Sequence, residues 1–294
     1  MMIKNRLLII IILIIGLNPQ IFAMQYIDVQ ADKIVIGHLI EEENQLRKEP
    51  IDTVNIFDEI PDLEILFEFI DSQLTHNKLE VLFFLHGMGE SKTKKFKTDY
   101  EYLKSVYLEN SASNIGSVVM ITWNSSPLFY TQVQKNARRV VPSFQVFLEG
   151  LTVYKKTFPL KKLNMLCHSL GNYIFFHALT NTNVTLFENL IMSAPDIALP
   201  NGENKDKYQN LGIVANKVWI LFNKKDRALT YSGMVNGKKR LGKKGLKSKT
   251  FDNIKTINTT SYRDLNNTQA KWSNHIYFRS SAKVMNILVK LLKR

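Results

Sequence analysis

The chain is poor in cysteine, in acids and in long apolar runs, and each shortage excludes something. Its 294 residues include a single cysteine, Cys167. No intrachain disulfide can form, and a Cys/His metal cluster is excluded, so stability must come from a hydrophobic core. That suits a large α/β domain better than a small secreted scaffold. The Leu/Ile stretch Leu7–Leu17 has only eleven residues, whereas a membrane-spanning helix needs roughly 20. There is no internal repeat and no Gly/Ser-rich or Pro-rich linker, which favours one domain. A content of 45% hydrophobic, 22% charged and 11% aromatic residues sets aside disordered, collagen-like and coiled-coil chains. The acid shortage is the unusual feature: 39 Lys+Arg against 26 Asp+Glu gives +13, which invites a nucleic-acid or anionic-membrane partner.

Residues 1–23 read as a secretory signal peptide rather than part of the fold. Lys4 and Arg6 precede the apolar run, Asn18-Pro19 breaks it, and Ile21-Phe22-Ala23 offers a processing site. Because Ile21 is bulkier than the usual small residue there, an uncleaved N-terminal anchor is the alternative. The expected location is periplasmic or secreted. No cysteine follows the run, which argues against a lipoprotein. Residues 24–77 read as an N-terminal extension, with an extended segment Lys33–Ile40, an acidic loop at Glu41-Glu42-Glu43 and a helix over 61–73.

From residue 78 to 294 strands and helices alternate. Glu80–His86, Ser117–Trp123, Leu163–His168, Leu186–Ser193 and Lys217–Phe222 are continuous apolar runs, the pattern of strands covered on both faces. Helices are expected over 94–109, over 131–157 with an interruption near Pro142, over 170–179 and over 282–292. The pattern predicts an α/β fold with a mostly parallel sheet and helices on both faces. Residues 224–255 stand apart, with eleven Lys/Arg, two Asp and four Gly, and read as a long exposed basic loop.

The strongest chemical signal is Cys167-His-Ser169-Leu-Gly171-Asn172, where a buried strand gives way to a helix. A serine on such a tight turn projects its Oγ above the sheet edge, provided that the residues two positions away are small. Gly171 meets that need, and Cys167 stands where glycine is usual. The helix start behind Ser169 offers the Leu170 N–H to an oxyanion, and the loop His86-Gly87-Met88 offers a second donor at Met88. A serine needs a base, and the base needs a carboxylate, in the chain order Ser, acid, His. Of the histidines at 38, 76, 86, 168, 177 and 275, only His275 lies C-terminal to any acid that follows Ser169. Asp226, after the later strand, is favoured as the acid, and Asp196 in Ser193-Ala-Pro-Asp196 is the alternative. His86 and His168 read as structural, with the His168 side chain turned away from the serine by strand alternation. His177 reads as packed or superficial, and Cys167 as buried along its strand.

These residues resemble the α/β-hydrolase superfamily, and within it a bacterial family of uncharacterised esterase/lipase-like serine hydrolases. The resemblance rests on Phe84–Gly87, Ile121–Trp123, His168–Asn172, Ala194–Ile197, Asp226–Leu229, Arg240–Gly242, His275 and Tyr277-Phe278, and it covers residues 78–292. It implies a Ser169–His275–Asp226 triad that cleaves carboxylic esters through an acyl-enzyme, with no metal or cofactor. It implies no particular substrate.

The competing function is a non-catalytic hydrolase-fold protein that binds a partner or an anionic membrane through Lys238, Lys239, Lys243 and Lys244. Nucleic acid is not the expected partner, because no nucleic-acid fold or aromatic platform is recognisable. The charge itself is local: residues 224–255 contribute +9 (eleven minus two), and Lys4 with Arg6 contribute +2.

Overall fold

The structure is a computed structural model, and it describes residues 24–42, 45–57, 63–74, 77–89, 93–126, 129–179, 184–246, 252–262, 264–266 and 268–293. The proposed signal segment, Glu43 and His76 therefore lie outside the described residues.

Among the described residues, nine strands form one sheet: β1 Met24–Val29, β2 Lys33–Glu42, β3 Gln45–Asn55, β4 Glu80–Leu85, β5 Ile115–Thr122, β6 Lys162–His168, β7 Phe187–Ser193, β8 Ala215–Phe222 and β9 Ile254–Asn258. Their spatial order is β3-β2-β1-β5-β4-β6-β7-β8-β9. The pairings of β2 with β1 and β3 are antiparallel, and all the others are parallel. The helices are α1 Glu64–Gln73, α2 Thr93–Leu103 with a π-helical turn Lys104–Leu108, α3 Tyr130–Thr157, α4 Leu170–Ala178, α5 Lys205–Val214, α6 Arg227–Asn236, α7 Leu241–Lys244, α8 Thr268–Ser273, α9 Tyr277–Ser280 and α10 Ala282–Leu292.

Successive side chains on the central strands feed opposite layers of core. Val81, Phe83 and Leu85 enter one cluster with Phe144, Phe147 and Phe175, while Leu82 and Phe84 enter the other with Tyr107, Phe278 and Leu288. This period-two alternation explains why the central strands are apolar at every position.

Four expectations need correction. The chain does not divide near residue 77: β1 lies inside the sheet beside β5, and Leu63, Leu66, Phe67 and Ile70 around α1 join the main core. Glu41 and Glu42 belong to β2, paired with Leu46 and Gln45 of β3, rather than to a loop. α3 runs unbroken through Pro142. Pro142 and Arg138 both face solvent, so the Arg138 carbonyl that loses its helical donor can be hydrated. Burial of Val133, Ala137, Val140, Phe144, Phe147 and Leu151 offsets a proline cost of about 3 kcal/mol.

The basic stretch is the fourth correction. It is not simply an exposed loop, because it forms α6 and α7, enters β9, and buries Leu229, Ser232, Arg240, Leu241 and Gly242.

Candidate active site

β4 and β6 are neighbours in the sheet although β5 intervenes in sequence. The chain therefore leaves β4 in one direction and returns to its other side, and open sheets place sites at the carboxyl ends of such strands. Met88 follows β4 and Ser169 follows β6, so the topology brings both to one edge.

Ser169 has φ 52° and ψ −121°, a backbone state that L-residues avoid unless the surroundings impose it. Its N–H donates to the Ser193 carbonyl at 3.1 Å, and its carbonyl accepts from Asp196 N at 3.2 Å. The Asn172 amide nitrogen lies within 3.3 Å of the Cys167, Ser169 and Ser193 carbonyls, pinning the turn from inside. Gly171 explains the small residue: a Cβ there would lie 2.4 Å from the Leu85 carbonyl oxygen. Gly87 is needed for a related reason, since its Cβ would meet the Ser169 Cβ at 2.8 Å. Cys167 tolerates a side chain because it points along β6 into the core, where burial pushes its thiol pKa up.

His275 bridges the serine to one carboxylate. Its Nε2 lies 2.9 Å from Ser169 Oγ, and its Nδ1 lies 2.7 Å from Asp226 Oδ2. Asp226 is fully buried at the N-cap of α6, where its Oδ1 accepts from the Leu229 N–H at 2.8 Å. A capping carboxylate thus holds α6 and His275 together. His275 itself is placed by Tyr277, whose hydroxyl donates to the Leu221 carbonyl and accepts from Ala194 N–H, tying this loop to the ends of β7 and β8.

Asp196 has a different partner. It forms a buried ion pair with Arg240 Nε at 3.1 Å and accepts from the Ser232 and Tyr130 hydroxyls. Asn236 reaches the same Tyr130 hydroxyl at 3.2 Å. The structure therefore brings Ser169, His275 and Asp226 together and commits Asp196 to a neighbouring network.

Of the other histidines, His86 is buried, with Nδ1 2.8 Å from the Gly87 carbonyl and its ring parallel to that of Trp123. His168 departs from expectation. It is buried as a structural residue should be, but its ring lies 4.9 Å from that of His275 and 4.5 Å from that of Phe278. The tight turn breaks strand alternation at Ser169, so His168 walls the cleft instead of facing away.

Met88 and Leu170 line a cleft of about 550 Å³ together with Ser169, His275, Lys95, Phe129, Tyr130, Tyr231 and Trp272. Sequence reasoning had no means of finding Tyr130, Tyr231 or Trp272, because their place in the cleft depends on where α3, α6 and α8 dock. Among the described residues, no cluster of three or more His, Cys, Asp or Glu has metal-binding geometry.

A mostly parallel sheet with helices on both faces, carrying a serine elbow at the end of a central strand, defines an α/β-hydrolase. The chain belongs to the family described as "Alpha/beta hydrolase of unknown function" (DUF900), which matches residues 66–293. No curated protein matches it in sequence. Similar solved structures include two at low sequence identity. The product of the Listeria innocua gene lin2722 is 10% identical with a TM-score of 0.44, over 74% of this chain and 94% of that one. An iodinated complex of acetyl xylan esterase is 9% identical with a TM-score of 0.38, over 72% and 96%.

Proposed function

We propose that this protein is an exported serine hydrolase that cleaves carboxylic esters. The observation that carries the reading is the His275 bridge between Ser169 Oγ and Asp226. In the first step His275 Nε2 takes the Ser169 proton as Oγ bonds to the acyl carbon. The carbonyl becomes an oxyanion held by the backbone N–H groups of Leu170 and Met88. Collapse expels the alcohol, which takes the proton from His275 and leaves an acyl-serine. Water, deprotonated by the same histidine, attacks that ester and releases the acid and Ser169. Asp226 holds the imidazole in the tautomer with its Nδ1 proton and stabilises the imidazolium. Export rests on the sequence alone: Lys4 and Arg6 precede the apolar run Leu7–Leu17, and Ile21-Phe22-Ala23 follows it.

Labelling with a fluorophosphonate probe tests the reading. Wild type should be labelled and Ser169→Ala should not, with equal circular dichroism. A folded wild type labelled no better than the variant would leave a non-catalytic hydrolase fold. A series of p-nitrophenyl esters then reads the acyl length that the cleft accepts.

A further inference from the structure

The rim of the cleft is apolar and open to solvent. Phe129, Tyr231 and Trp272 line the cleft yet are 75%, 56% and 64% exposed. One turn beyond Tyr231 on α6, Met234 is 77% exposed and Val235 is also exposed. Isolated exposed hydrophobic residues are ordinary, but several of the largest kinds around one opening mark a contact surface.

The chain beside this rim is predominantly basic. Residues 224–246 carry eight Lys/Arg and a single acid, Asp226, which is buried against His275. The Arg227 guanidinium lies over the Trp272 ring, 5.3 Å from its centre. Met234 shares a groove with Lys238, Lys239, Lys243 and Lys244. Lys239 and Lys244 are exposed, Lys238 meets the exposed Glu203, and Lys243 turns inward to Thr230 and the Asp226 carbonyl. An apolar rim bordered by cations is complementary to a surface with an anionic outer layer above hydrocarbon. Aromatic side chains favour that boundary, and long basic stems reach headgroup charge from it.

We propose that this rim docks the mouth of the cleft on an anionic lipid surface. Phe129, Tyr231, Met234 and Trp272 enter the interface while Lys238, Lys239 and Lys244 meet the headgroups. Given the ester-hydrolase reading, on which this part rests, the substrate is a lipid ester drawn from that surface.

The test uses the full chain and vesicles whose acyl chains are brominated, because bromine quenches indole that enters the lipid. Trp123 is buried and Trp219 is half-buried on β8, so Trp272 is the rim reporter. Phosphatidylglycerol-containing vesicles should quench the emission at low salt, and pure phosphatidylcholine vesicles should do so far less. Trp272→Phe should abolish the quenching. The triple variant Lys238→Gln/Lys239→Gln/Lys244→Gln should weaken vesicle affinity at least tenfold, and high salt should do the same. These lysines lie off the cleft, so the triple variant should hydrolyse a soluble p-nitrophenyl ester at the wild-type rate. Quenching that persists in Trp272→Phe, or binding indifferent to the lysines, would overturn the proposal, as would self-association through the rim without vesicle binding. Failure of probe labelling with intact lipid quenching would remove the hydrolase reading and leave the docking surface standing.

Discussion

β7 and β8 end side by side, and each is followed by a buried aspartate in the same polar edge of the sheet. Asp196 and Asp226 are 2% and 0% exposed. Asp226 meets His275, a partner able to gain and lose a proton, and Asp196 meets Arg240, which stays charged. The first pairing can take part in proton transfer. The second is a fixed ion pair that joins the β7 loop, α3 through Tyr130, and α6 through Ser232. Burial and strand position alone do not separate two such carboxylates. The partner opposite each one does.

The largest expected effect should break the symmetry between them. Asp226→Asn keeps the size and a capping oxygen but offers His275 the wrong hydrogen-bond partner, and should lower kcat for a p-nitrophenyl ester by about ten-thousandfold. That corresponds to about 5.5 kcal/mol of barrier. Asp196→Asn should lower kcat far less. If both variants lose activity equally, the two carboxylates share one role and the comparison fails.

A smaller effect should appear in stability, on the other aspartate. Arg240→Met leaves Asp196 buried without its cation and should cost about 3–5 kcal/mol in urea unfolding. Protein that remains folded should still be labelled by the probe. Adding Asp196→Asn to Arg240→Met should cost less than the sum of the two single changes, because they remove one interaction. Strict additivity would show that the pair contributes nothing as a pair.

How far the sequence foretells this arrangement depends on whether a residue's partners are local. β4, β5, β6, β7 and β8 are legible because burial on both faces makes them apolar without a break. β3 is not, because it is an edge strand with Pro50 and is mostly exposed, and β9 is mostly exposed at the opposite edge. Chain order selects His275 as the base for Ser169, but it leaves Asp226 and Asp196 both open as the acid, because each lies between them. Asn172, Tyr130 and Tyr277 act through carbonyls and hydroxyls tens of residues away, which no local pattern records. The basic stretch misleads for a related reason. Lysine content describes its outer face, while Leu229, Arg240 and Leu241 decide its structure.

The Arg240 station should also carry an acid sensitivity that the Asp226 station does not explain, and this is the smallest effect expected. His177 lies on α4 with its ring centre 4.1 Å from that of Tyr173. Burial lowers its pKa to about 4, assisted by the positive charges of Lys207, Arg138 and Arg240. Lys207 holds that position by donating to the His177 and Leu179 carbonyls. A neutral histidine is therefore favoured in the fold, and the unfolded chain binds the extra proton near the ordinary value of about 6.5. The stability linked to His177 is complete above pH 6.5 and is lost as the pH falls from there toward 4. Partial exposure of the ring keeps the effect small beside the loss of the Arg240 ion pair. Carboxylates also titrate toward the lower end of this window, so the informative quantity is the difference between variants. His177→Gln should flatten the fall in urea midpoint between pH 6.5 and 4. Arg240→Met should flatten it partly, because one of the three cations is gone. An unchanged pH slope in His177→Gln would separate His177 from the acid response and confine the reach of Arg240 to Asp196 and its hydroxyl partners.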